Sequence, residues 1–257
     1  MKNNTLIIAS CLIVLITGIL FSITKLNLPS VLSSMTHYGK SELKNDGKEF
    51  NLVALGDSLS YGVGNSSNSG YVGTVEERLE NHMKTEIIVK DYGVPDDTSA
   101  LLLKRLKNEQ LKSSIGSARM IFLNIGMNDY LNSLLLTKTH PDRKKEIIVK
   151  AQQNYQNNLK TAIKEMRKEN PKAKIYLVGI YNPFTNRKDR LPESSLVQQW
   201  NKKAQVITAE QENTRFINVE GVFTGKNKKA YFADELHPNK KGYALIGEVV
   251  YKRLELR

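Results

Sequence analysis

Phe50-Asn51-Leu52-Val53-Ala54-Leu55-Gly56-Asp57-Ser58-Leu59-Ser60 decides how the chain is read. Phe50 to Leu55 is a short apolar run, the signature of a buried strand, and Gly56 ends it. A serine follows at once. Held at a strand end in a glycine-flanked turn, a serine can present its hydroxyl to a ligand. Alone, Gly56-Asp57-Ser58 is an ordinary turn signal. Its weight depends on what the rest of the chain brings to the same place.

Outward from this stretch the pattern repeats. Tyr71 to His82 has helical spacing, and Ile87 to Val89 reads as a second strand that stops near Gly93. Thr98 to Leu111 reads as one helix, with Thr98 or Ser99 as its N-cap. Met120 to Ile125 is a third strand ending at Gly126, and Arg143 to Lys168 a long polar-faced helix stopped before Pro171. Ile175 to Ile180 and Phe216 to Val219 read as strands four and five, separated by a helix over Ser194 to Asn213. Tyr243 to Leu254 is a last helix. Short buried-type strands alternating with helices specify βαβ units, and so a parallel sheet covered on both faces. One α/β domain over 48–257 is expected. Its ligand site belongs beyond the carboxyl ends of the strands.

Composition excludes other classes. The chain has 257 residues, 40% hydrophobic and 25% charged, which is globular and not disordered. Lys plus Arg is 38 against 26 for Asp plus Glu, a formal charge of +12 that favours anionic partners. Cys11 is the one cysteine, so no intrachain disulfide and no Cys-rich zinc site can form. His37, His82, His140 and His237 are scattered without metal-ligand spacing, and neither a metal nor an organic cofactor is expected.

Leu6 to Ile23 is uncharged and mostly apolar. As a helix it would reach ~27 Å, near the thickness of a bilayer core. Lys2 precedes it, which favours an amino terminus inside and the remainder outside the cytoplasm. Residues 1–23 are therefore read as a membrane anchor. The alternative is a signal peptide and a secreted product, but no Ala-x-Ala-like cleavage site follows the run. Ile8-Ala9-Ser10-Cys11 has too short an apolar stretch before it for a lipoprotein signal, so Cys11 is read as a membrane-buried thiol. Residues 24–47, polar and carrying Pro29, read as a spacer.

The polar chemistry lies in the segments after the strands. Ser58 follows strand one, and Gly93, whose bare backbone lets a ligand come close, follows strand two. Gly126-Met127-Asn128-Asp129 follows strand three, and the Asn128 amide can donate to an oxyanion. Asp234-Glu235-Leu236-His237-Pro238 follows strand five, and an Asp three residues before a His can orient the imidazole. Each has an ordinary reading as a turn, a cap or a surface pair. Together, at one sheet edge, they are the parts for serine acyl transfer. Rival classes fit less well. Gly62-Val63-Gly64 lacks the third glycine of a dinucleotide loop, and no Gly-Lys-Ser/Thr phosphate loop exists. Ser60 stands where an α/β-hydrolase elbow needs glycine. No nucleic-acid-binding motif is present. A membrane-tethered, non-catalytic module that binds anionic envelope polymers through its basic loops is the alternative from another class.

These blocks resemble the GDSL-type esterases of the SGNH hydrolase superfamily, from Phe50 to the C-terminus. The resemblance rests on Gly56-Asp57-Ser58-Leu59-Ser60, Gly126-Met127-Asn128-Asp129 and Asp234-Glu235-Leu236-His237-Pro238, followed by Asn239 and Gly242-Tyr243. It implies a flavodoxin-like three-layer α/β/α sandwich with five parallel strands. It implies Ser58 as nucleophile, His237 as general base and Asp234 as its orienter. The implied oxyanion hole is the Ser58 N–H, the Gly93 N–H and the Asn128 side chain. One block departs: Asp91 stands in place of the usual Asn, and Pro95-Asp96-Asp97 fills a turn that is commonly small and glycine-bearing.

For the substrate, Leu131, Leu134, Leu135 and Leu136 follow Asn128 and read either as an acyl-chain wall or lid or as ordinary helix packing. Phe184, Arg187, Lys188 and Arg190, with Lys226, Lys228, Lys229, Lys240 and Lys241, would give the site mouth positive potential. An acyl ester on an envelope lipid or on an O-acylated wall polymer is expected.

Overall fold

Five parallel strands form one sheet in the order β2-β1-β3-β4-β5: β1 (Phe50–Gly56), β2 (Ile87–Gly93), β3 (Met120–Asn124), β4 (Lys174–Val178) and β5 (Thr214–Ile217). The computed structural model describes residues 50–184 and 188–256. The expected anchor (1–23, with Cys11), the spacer (24–47) and Arg187 lie outside the described residues. Among the described residues no helix is long and apolar enough to cross a membrane.

The helices are α1 (Ser58–Tyr61), α2 (Val72–Met83), α3 (Ser99–Arg105), α4 (Glu109–Ser117), α5 (Met127–Thr139), α6 (Lys144–Glu169), α7 (Leu191–Ala209), α8 (Lys228–Tyr231) and α9 (Lys240–Tyr251). They cover both faces of the sheet. α2 packs with α9, while α3, α4, α5 and α7 all pack with α6. Burial on both faces explains why β1 and β3 are continuous apolar runs without alternation: every residue of β3 is buried, and in β1 all but Asn51. β2 and β5 lie at the edges and are more exposed. Gly56 is in register with Gly93 on one side and Asn124 on the other, so the carboxyl ends of β1, β2 and β3 are level. The order reverses between β1 and β3, and there the chain leaves a crevice for ligands.

Several expected boundaries move. The single helix over Thr98 to Leu111 is two helices, because the Asn108 side chain accepts the Leu111 N–H at 3.0 Å and starts α4 afresh. β2 runs on past Val89 to Gly93 as an edge strand with Lys90 and Asp91 exposed. β3, β4 and β5 end one to two residues earlier than their apolar runs, because Ile125, Ile180 and Val219 are buried in the turns that leave the sheet. The helices α1 and α8 were not anticipated, and α5 only as the start of a helix after Asn128.

α6 is longer than the sheet requires. Tyr155 donates its hydroxyl to Ile125 O (3.3 Å) and Asn158 donates to Ser99 Oγ (3.0 Å), which puts this part of α6 level with the strand ends. The turns of α6 before Tyr155 therefore stand roughly 16 Å above the carboxyl edge, with α5 packed beside them.

Candidate active site

Ser58 begins α1 directly beyond β1, and the local sequence forces the turn. Gly56 has φ +152°, and a Cβ there would sit 1.9 Å from Asn124 O. Asp57 donates its N–H to Asn124 O at 3.2 Å and caps α1 by accepting the Leu59 N–H at 3.0 Å. Gly62, in the left-handed region, ends the helix after one turn. Tyr243 of α9 donates its hydroxyl to Val63 O at 2.7 Å and holds the segment from the other side.

His237 reaches Ser58 from the loop after β5. Its Nε2 lies 3.2 Å from Ser58 Oγ, and its Nδ1 lies 2.7 Å from Asp234 Oδ2. These distances suit an Nδ1–H donated to the carboxylate and an Nε2 that accepts the serine proton. Asp234 Oδ1 also accepts the N–H groups of Leu236 (2.7 Å) and His237 (2.6 Å). Burial opposes the Asp234 charge, but the bonds from the His237 ring, the His237 N–H and the Leu236 N–H outweigh it and hold the carboxyl at about 2. The loop is pinned by Ala233 N–H to His237 O (2.9 Å), Asn239 N–H to Tyr231 O (2.9 Å) and the Tyr181 hydroxyl to Leu236 O. Beneath it Phe232 packs against Phe223 and Tyr181.

Asn128 is the second residue of α5, just beyond β3, whose Asn124 is level with Gly56 of β1. One N–H of its amide donates to Asp97 O at 2.9 Å, which leaves the other. Gly126 lies against the Tyr155 ring, where a Cβ would come within 2.5 Å, so only glycine lets the chain enter α5 here. Asp129 accepts from both Ser99 N–H (2.8 Å) and Ser99 Oγ (2.6 Å), joining the start of α3 to the start of α5.

Gly93 is placed otherwise than its expected role requires. Its N–H is engaged by Asp91 Oδ1 at 2.7 Å, and a Cβ on it would lie 2.3 Å from Tyr61 N. The glycine serves close packing of β2 against α1. Beyond it, Val94 donates to Gly56 O (3.0 Å) and Asp97 to Val94 O (3.2 Å). With Pro95 second and Asp96 third at φ +65°, this is a type II turn. No acceptor for the Asp96 N–H exists among the described residues.

The atypical loop adds less negative charge than its sequence suggests. Asp97 is buried, and its Oδ2 accepts from Arg105 Nε at 2.6 Å. The same guanidinium donates to Tyr92 O (2.8 Å) and Gly56 O (3.1 Å), so Arg105 ties the ends of β1 and β2 to the turn. Arg105 was not anticipated: a basic residue in the last turn of a helix reads as a solvated charge. Asp57 is also buried, with Oδ2 unpartnered among the described residues, and burial pushes its carboxyl up to about 7 against the pull of the Leu59 N–H.

Around the site, Leu131 and Leu134 pack against the core, while Leu135 is 58% and Leu136 52% exposed. Several of the basic groups are paired: Arg190 with Glu193 (2.8 Å) and Lys228 with Glu235 (2.8 Å). Lys240 and Lys241 are exposed.

The chain is similar in sequence to curated proteins and in fold to solved structures. Protein YpmR of Bacillus subtilis (strain 168) is 30% identical over 79% of this chain and 81% of its own. The spore germination lipase LipC of Bacillus licheniformis is 24% identical over 79% of this chain and 97% of its own. Two solved structures share the fold. The lipase Lip_vut3 from a goat rumen metagenome has a TM-score of 0.67 at 23% identity, covering 80% of this chain and 100% of that one. The acetylxylan esterase Axe2 of Geobacillus stearothermophilus has a TM-score of 0.61 at 20% identity, covering 81% and 96%. The profile of the GDSL-like Lipase/Acylhydrolase family matches residues 54–245. The chain belongs to that family of hydrolases.

Proposed function

We propose that this chain hydrolyses carboxylic esters through an acyl-enzyme on Ser58. The observation that carries the reading is the unbroken line from Asp234 Oδ2 through the His237 ring to Ser58 Oγ, at 2.7 and 3.2 Å. His237 takes the serine proton as the hydroxyl attacks the ester carbonyl. Asp234 fixes the ring tautomer and stabilises the imidazolium that forms. The Ser58 N–H and the remaining Asn128 N–H receive the oxyanion, and one such donor contributes about 2.7–4 kcal/mol to the transition state. The loop after β2 supplies the third donor. Gly93 N–H would first have to leave Asp91, whereas Asp96 N–H has no competing partner among the described residues, so the role passes to Asp96. His237 then protonates the leaving alcohol, and water attacks the acyl-enzyme by the same route in reverse.

The proposed substrate is an acyl or acetyl ester on an envelope lipid or an O-acylated wall polymer, met outside the cytoplasm by a domain anchored through residues 6–23. The length and apolarity of that run and the net charge of +12 support this setting. Ser58→Ala tests the chemistry: turnover of a short-chain activated ester and labelling by a fluorophosphonate should both disappear with the fold unchanged. Wild-type turnover in that variant would remove Ser58 as nucleophile.

A further inference from the structure

A second concave surface lies away from Ser58, between α7 and the edge strand β5. It is a cleft of about 610 Å³, within the range of small-ligand sites. Its floor is the half-buried ring of Phe216, which lies against Gly179, where a Cβ would meet the ring at 2.6 Å. Its walls are exposed amides: Gln198, Gln199 and Gln205 on α7, and Asn218 just beyond β5. The side chains of the three glutamines make no hydrogen bond among the described residues.

The charge of the cleft differs from that of the chain as a whole. Among the described residues, Lys202 and Glu220 are the only ionisable ones that line it, one of each sign. On a chain of net charge +12 this is a locally neutral, hydrogen-bonding surface, unsuited to a polyanion. Amide side chains offer paired donors and acceptors, and an aromatic ring offers an apolar platform. That combination matches a sugar, which presents hydroxyls at its rim and C–H bonds on its face. Asn201 gives the wall rigidity: it bonds Ile180 at both N–H (2.9 Å) and C=O (2.8 Å) and donates to Glu220 at 3.3 Å.

We propose that this cleft binds a neutral segment of a glycan chain. Glu220 and Gly221 close it at the carboxyl end of β5, and the segment they begin leads to Asp234 and His237. β5 lies three strand spacings from β1, so the cleft is roughly 14 Å across the sheet from the Ser58 strand. A polymer lying along the carboxyl edge can occupy both places. The ligand class is argued from the lining of the cleft alone; only its use, holding the polymer that carries the ester, rests on the esterase reading.

The test uses the full chain in detergent with two neutral probes, xylotetraose and tetra-N-acetylchitotetraose, observed by saturation-transfer NMR. At least one should receive saturation, and its affinity should fall about tenfold in the Gln198→Ala/Gln205→Ala double variant. Short-ester turnover should not change in that variant, because neither glutamine touches the catalytic loops. Binding should also persist in Ser58→Ala, so this inference and the esterase reading fail separately. Absence of transfer to both saccharides, equal transfer in the double variant, or displacement of the saccharide by a peptide paired on β5 would overturn the proposal.

Discussion

Asp234 grips His237 twice: Oδ1 accepts the backbone N–H at 2.6 Å, and Oδ2 faces ring Nδ1 at 2.7 Å. One side chain therefore shapes the loop and sets the tautomer. Asp234→Asn can keep the backbone bond through its oxygen while turning an N–H toward Nδ1. We expect the loop to survive and kcat to fall by a factor on the order of 10²–10⁴, with KM little changed. Steady-state kinetics on an activated ester measure this; a loss confined to KM would contradict it. The pH dependence follows from the same bonds. A carboxyl held at about 2 stabilises the fold above its ordinary value of 3.8 and loses that contribution as pH falls toward 2.

Asp57 behaves in the opposite sense. Its carboxyl is raised from 3.8 to about 7 by burial, so the native state holds the proton more tightly than the unfolded chain does. The stability tied to this group is complete below about pH 4 and declines as pH rises through 7. Asp57→Asn keeps a cap acceptor and cannot ionise. Its Tm, relative to wild type, should rise between pH 4 and pH 8, as followed by circular dichroism. Parallel Tm curves for the two proteins would rule out the assignment. Glu76, also raised to about 7 by burial, adds a slope of the same sign to both proteins and cancels in the difference.

Arg105 should matter for stability and turnover together. Its guanidinium is the partner of buried Asp97 and donates to two strand-end carbonyls. Arg105→Ala leaves Asp97 unpaired, and we expect a loss of about 2–4 kcal/mol, discounted from the fully buried case because the arginine is 24% exposed. Adding Asp97→Asn should restore part of that loss. Chemical denaturation of the two single variants and the double variant gives the coupling. Arg105→Lys keeps the charge but not the fork, and should lower kcat by loosening the turn.

Asp96 occupies a left-handed position, φ +65°, that a side chain with a Cβ adopts at a cost of about 1 kcal/mol. Asp96→Gly should stabilise the domain by roughly that amount less the added freedom of the unfolded chain, and should leave kcat unchanged because the backbone N–H remains. Thermal unfolding and the ester assay decide it. A large fall in kcat would show that the carboxylate, and not the N–H, acts in turnover.

The legible parts of this molecule are those whose signals are local. β1 and β3 are apolar throughout because both faces are covered, and such runs are visible without a partner. Ser58, Asn128, Asp234 and His237 each sit in a short block whose turn chemistry can be read from neighbouring residues. The break at Asn108 was hidden because an asparagine inside an apolar period looks like any polar face residue until its side chain is seen to cap. Gly93 was chosen because a bare backbone suits a donor, yet the carboxylate two residues earlier takes its N–H, and that pairing depends on rotamers. Arg105 reaches carbonyls 13 and 49 residues away, beyond any local pattern.

Ser58 and His237 are 179 residues apart along the chain. Bringing them together closes a very long loop, and the entropy lost is recovered only when the intervening strands and helices are in place. No fragment that ends before His237 can therefore complete the pair, and a molecule in which the two ends have not met lacks it. Enzymatic rate becomes a count of fully assembled molecules, and its recovery after dilution from denaturant follows the slowest, longest-range step of folding.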